Sequence, residues 1–131
     1  MTTLKKRGLL IIRIVIAIIL IQTLRFKFTA HIDSVYIFTQ AGLEPYGRIG
    51  IGILELIAGI LLLLPKTVWL GASITIGLML GAIFMHLTKL GIEVNHDRGV
   101  LFITAIITLI LASITLYASK GDIPFLSRKQ S

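Results

Sequence analysis

The sequence predicts an all-α transmembrane four-helix bundle, antiparallel and up-down in topology, with a short interfacial helix between the first and second spans. Three observations carry that prediction. Of the 131 residues, 56% are hydrophobic and 15% charged, with a mean hydropathy of +0.96, against about 25% charged in soluble domains. The apolar residues gather into four runs, at about 8–24, 49–64, 68–87 and 100–118, each near the ~17–25 residues with which a helix crosses ~30 Å of hydrocarbon. Only Pro65, Lys66 and Thr67 separate the second run from the third, which forces those two spans into an antiparallel hairpin. The four runs use nearly the whole chain, so 1–131 reads as a single membrane domain.

The first run follows Lys5-Lys6-Arg7, as a secretory signal would. The polar stretch from Gln22 to Lys27 stands where a small-residue cleavage site would be needed, so the run is read as an uncleaved span. The connection 25–47 mixes Phe26, Phe28, Tyr36, Phe38 and Tyr46 with charged residues, a composition suited to a segment lying in the outer interface or folding over the bundle mouth. Asp33 or Ser34 is placed to cap a helix through 35–40, and Gly42 to stop it. Pro45 comes just before the second span.

Lipid is as apolar as leucine, so spans associate through small residues and a few hydrogen bonds. In the second span Gly52, Glu55 and Gly59 follow i, i+3, i+7 spacing beside Ala58, which puts the carboxylate on a contact face. The third span starts near Trp69, an interfacial residue, and carries Gly77 and Gly81 as a GxxxG pair with Ser73 and Thr88 on nearly the same face. Thr75, Met79, Ala82 and His86 lie opposite, giving two faces for two neighbours. The third connection, TKLGIEVNHDRG, has turn residues Gly91 and Asn95. In the fourth span Thr104, Thr108, Ala112, Thr115 and Ser119 form a small, hydroxylic stripe read as an inward packing face. The tail beyond Lys120 is polar.

The net charge of +7 raises the question of nucleic acid. The basic residues sit at span ends rather than on one soluble face, which suits lipid headgroups and gives no nucleic-acid partner. The termini and the Pro65–Thr67 turn hold Lys5, Lys6, Arg7, Lys66, Lys120, Arg128 and Lys129, against Arg25, Lys27, Arg48, Lys89 and Arg98 on the other side. The positive-inside rule therefore puts both termini in the cytoplasm. The chain has no cysteine, so it carries no thiolate catalysis, disulfide exchange or cysteine-ligated zinc or iron–sulfur site.

Arg13 lies ~8 Å along the first span from its cytoplasmic start, where it can snorkel to the headgroups or turn inward to a partner. Glu55 lies ~10 Å along the second span from its outer end, and a charge near the centre of a span costs roughly 2.5–3.5 kcal/mol on the insertion scale. His86 falls near the outer end of the third. The two therefore share the outer half of the membrane, within reach of Arg25, Lys27 and Arg48, the last on the Glu55 face two turns above it. One reading is a neutralised carboxylate that ties helices together. The other is a site in which Glu55 and His86 hydrogen-bond a carbonyl headgroup and pass protons, which suits a quinone. Haem is disfavoured, since of His31, His86 and His96 only His86 is within a span and no attachment motif is present. Glu93, His96 and Asp97 could ligate a metal, but they read more simply as a solvated charged loop, and no metal is expected.

Arg13-Ile14-Val15-Ile16-Ala17, the Phe26-Lys27-Phe28 exit, ELIAGILLLLP around Glu55, Gly71-Ala72 and GAIFMHLTKLG ending the third span together resemble the DoxX family, over about 12–117. The resemblance implies a small four-helix bacterial membrane protein, with Arg13, Lys27, Glu55 and His86 at matching positions. It also implies a link to oxidoreductase systems, thiosulfate oxidation and quinone reduction, or to the assembly of other proteins. The expectation is a quinone-associated or anchoring subunit in the bacterial cytoplasmic membrane, with Glu55, His86, Arg25, Lys27 and Arg48 as its site and no catalysis of its own. Its partners would be lipid, a quinone, and a redox protein or further copies of itself. The alternative is a non-catalytic assembly or interaction protein. A small transporter is disfavoured by the lack of a second bundle half.

Overall fold

The computed structural model describes residues 3–28, 32–40, 42, 46–90 and 99–120. The Leu- and Ile-rich first run forms α1 (Thr3–Phe28), longer at both ends than the apolar stretch alone. No proline or positive-φ residue interrupts it there, and the polar residues beyond the apolar stretch continue the same helix. A short α2 (Ile32–Gln40) follows, then α3 (Tyr46–Leu63), α4 (Val68–Met85) with a π-helical turn over His86–Leu90, and α5 (Val100–Ala118). Four of these helices are long and apolar enough to span a membrane. The third connection at 91–98 and the tail at 121–131 lie outside the described residues.

α1 packs on α3 and α5, α3 on α4, and α4 on α5, a ring in which the long helices run alternately up and down. Arg13, early in α1, bonds Leu62, late in α3. His86, after α4, meets Phe102, early in α5. α2 begins earlier than a cap at Asp33 or Ser34 would have it, since both residues fall in its first turn. It ends as expected: Gly42 takes φ 74° and donates its N–H to the Thr39 carbonyl at 3.0 Å, a left-handed conformation open to glycine. α2 touches α1, α3 and the π turn, so it lies across that end of the bundle.

The dry core occupies the other end. Ile16, Leu20, Ala58, Leu62, Val68, Ala72 and Ala112 are buried together beside the α3–α4 turn. α4 approaches α3 closely at Gly71, where an added Cβ would lie 2.8 Å from the Leu62 nitrogen and 2.9 Å from the Ala58 carbonyl. This corrects the expectation for the third span. A Cβ on Gly77 or Gly81 would meet nothing within 4 Å, because the GxxxG pair points outward while the Thr75 and His86 face turns in. The α5 stripe packs as its spacing predicts. Thr108, Ala112, Thr115 and Ser119 are buried, and the hydroxyls of Thr108, Thr115 and Ser119 donate to carbonyls four residues back at 2.7–2.8 Å.

Candidate functional site

The inward stripe of α3 buries Arg48, Gly52, Glu55, Ala58, Gly59 and Leu62, and its helical spacing alone puts a carboxylate in the middle of the bundle. Glu55 is 2% exposed. On α1 the stripe Ile16, Leu20 and Thr23 follows i, i+4, i+7, which brings the Thr23 hydroxyl to Glu55. Thr23 Oγ1 and Glu55 Oε2 are hydrogen-bonded, and Thr23 Oγ1 also lies 2.9 Å from the Leu20 carbonyl. The hydroxyl can donate to the Glu55 carboxylate or to the Leu20 carbonyl.

His86 is 5% exposed and opens the π turn, a widened coil that recurs at functional sites. Its backbone N–H still reaches the Ala82 and Ile83 carbonyls, continuing α4. The imidazole meets the Phe102 ring edge-on, with centroids 5.5 Å apart and planes at 63°, a geometry aromatic pairs favour.

Glu55 and His86 line one cavity of about 440 Å³, within the ~300–1,000 Å³ of small-molecule sites. α1 contributes Ile19, Leu20 and Thr23; α2 Ile37 and Phe38; α3 Ile51 and Glu55; α4 residues from Gly77 to Met85, followed by His86; and α5 Leu101, Thr104, Ala105 and Thr108. Among the described residues the wall is therefore apolar apart from Glu55, His86 and three threonines. Thr104 and Thr108 spend their protons on the Val100 and Thr104 carbonyls, both at 2.7 Å, so toward the cavity they offer lone pairs. An imidazole N–H, a carboxyl group and acceptor hydroxyls on an apolar wall can hold a neutral headgroup bearing carbonyls or hydroxyls.

The other expected site residues are placed differently. Arg48 is buried on the Glu55 face but does not line the cavity, and Arg25 is exposed and does not line it either. Lys27 lies in the last turn of α1, and its side chain is outside the described residues, as are His31, Glu93, His96 and Asp97. Arg13 is at the opposite end, where its Nε donates to the Leu62 carbonyl at 2.7 Å. Of the two readings of Arg13, the inward one holds. Sequence reasoning missed Thr23, Phe38 and Phe102. The α1 stripe through Ile16 and Leu20 would have found Thr23, whereas no local pattern marks the two phenylalanines.

A family model described as DoxX matches residues 8–88, a span that includes Arg13, Glu55 and His86. No curated protein and no solved structure matches the chain.

Proposed function

The chain belongs to the DoxX family, and from that premise we propose that it is a quinone-associated or anchoring subunit of an oxidoreductase system in the bacterial cytoplasmic membrane. That it is a multi-pass membrane protein follows from its four long apolar helices and its family. The observation that carries the rest is the joint presence of Glu55 and His86, both buried, in the wall of one apolar cavity.

The wall fits a quinone. The imidazole N–H of His86 would donate to one ring oxygen, and Glu55, when protonated, would donate to another. When the headgroup is a quinol, its hydroxyls would donate to the Glu55 carboxylate and the threonine lone pairs. A bound quinone supplies two-electron, two-proton redox chemistry, and the protein's part is to orient the headgroup, exclude water and hold a proton. With both termini cytoplasmic, as the distribution of Lys and Arg favours, the site lies in the outer half of the bilayer.

Quinone extracted from purified protein tests this reading. Wild type retains it near stoichiometrically, and Glu55→Gln or His86→Ala lowers the content about tenfold or more, equivalent to ~1.4 kcal/mol. Equal content in all three rejects the site. A second reading is favoured by the Thr23–Glu55 bond, which joins α1 to α3 as a purely structural cluster would. In a non-catalytic assembly protein, Glu55→Leu with His86→Leu would leave function intact, while a bulky residue at Gly71 would abolish it.

A further inference from the structure

Among the described residues that line the cavity, three are exposed: Gly77, Gly81 and Phe84. All the others, on every contributing helix, are buried or half-buried. The three follow i, i+4, i+7 spacing and form one outward stripe of α4. They lie within the membrane-spanning stretch Val68–Thr88, about 6, 10 and 16 Å from its Thr88 end for Phe84, Gly81 and Gly77. These three lining residues therefore fall at hydrocarbon depth.

The two glycines differ in kind from Gly71. A Cβ at Gly71 would strike the backbone of α3, whereas at Gly77 or Gly81 it would meet nothing within 4 Å. Bare backbone at those two positions serves no helix contact among the described residues, and what it leaves is open space beside the cavity on the outward face of α4. The wall beside it is apolar, and the polar groups Glu55 and His86 stand farther in, buried.

We propose that the Gly77–Gly81–Phe84 stripe is a lateral doorway through which an amphiphile dissolved in the bilayer reaches the cavity. Its polar head goes to Glu55 and His86, and its apolar tail lies across the two glycines, with Phe84 flanking the opening. This rests on the reading of the cavity as a site for a membrane-dissolved ligand. It adds the route and the shape of the occupant: one flexible apolar chain, since leucine-sized side chains at either glycine would fill the space the chain needs.

The absence of cysteine allows a test that does not depend on any quinone. Thr104→Cys places one thiol in the cavity wall; apolar surroundings raise a thiol above its ordinary ~8.5, so labelling in proteoliposomes is run at pH 9 and its rate is compared among variants that share this thiol. Two probes are compared: N-dodecylmaleimide, which partitions into lipid, and a membrane-impermeant charged methanethiosulfonate added on both sides. The dodecyl reagent is expected to label the thiol and the charged one to leave it unmodified. Gly77→Leu with Gly81→Leu is expected to slow dodecyl labelling at least tenfold, and Phe84→Ala to accelerate it severalfold. Because leucine at both positions faces lipid, folding is checked by equal labelling of the thiol after denaturation. Labelling by the charged reagent, no labelling by the dodecyl reagent, or a rate unchanged by both sets of substitutions would each overturn the doorway. Quinone retention without an effect of the leucines would sink the doorway and leave the site standing.

Discussion

Arg13 and Glu55 meet the same problem, an ionisable side chain inside an apolar helix, with different partners. The last four carbonyls of a helix lack intrahelical donors and carry the negative end of its dipole. At the end of α3, Arg13 Nε takes the Leu62 carbonyl at 2.7 Å, and Thr67 Oγ1 takes that of Leu61 at 3.0 Å. Arg13→Met should therefore lower unfolding stability in detergent by about 1.5–3 kcal/mol, the range for hydrogen bonds to charged groups. Arg13→Lys should recover only part of it, since an ammonium lacks the guanidinium's planar array of donors. Glu55 has a side-chain hydroxyl on another helix for a partner. Hydrogen bonds between membrane helices average about 0.6 kcal/mol and reach about 1.7, so Thr23→Val should cost that much. In a double-mutant cycle with Glu55→Leu the two losses should fall short of additive by the coupling of the pair. Strict additivity would mean that the Thr23–Glu55 bond contributes nothing to the fold.

At the scale of helices, two kinds of glycine share α4. Gly71→Val forces a side chain into the α3 backbone, and overpacking of this kind costs about 1–3 kcal/mol. Gly77→Ala and Gly81→Ala should be neutral or stabilising by about 0.5–1 kcal/mol, the gain from removing helical glycine. Steric-trap or SDS unfolding of the three variants would separate the cases, and equal losses at all three would contradict the close approach at Gly71. This contrast shows where the sequence was legible. Four spans, the α3–α4 hairpin, the stop at Gly42 and the inward stripe of α5 could be read because apolar run length, turn length and helical period determine them locally. Which small residue meets another helix could not be read that way. A GxxxG spacing says that two glycines share a face, but neighbouring backbones decide whether that face is filled. Glu55 and His86 could be placed at a common depth by counting residues. That they border one cavity, with α2 across its end, depends on how four helices diverge.

The molecule as a whole is packed at one end and hollow at the other. The core around Leu62, Val68 and Ala72 sits beside the α3–α4 turn, and the cavity lies between that core and α2. Ligand bound only by the folded state adds stability, about 2.7 kcal/mol at a concentration one hundred times Kd. Excess decylubiquinone should therefore raise the Tm of wild type and leave that of Glu55→Gln with His86→Ala unmoved; equal shifts would place the quinone elsewhere. The bond between Arg13 and Leu62 also bears on biogenesis. Its partners are 49 residues apart, and the arginine enters the membrane before α3 has inserted to supply the carbonyl. A nascent chain released after α1 alone would hold a cation in lipid without that acceptor. The α3–α4 hairpin thus completes a first span that arrives unfinished, and chains truncated before Leu62 should be the ones that membrane proteases clear.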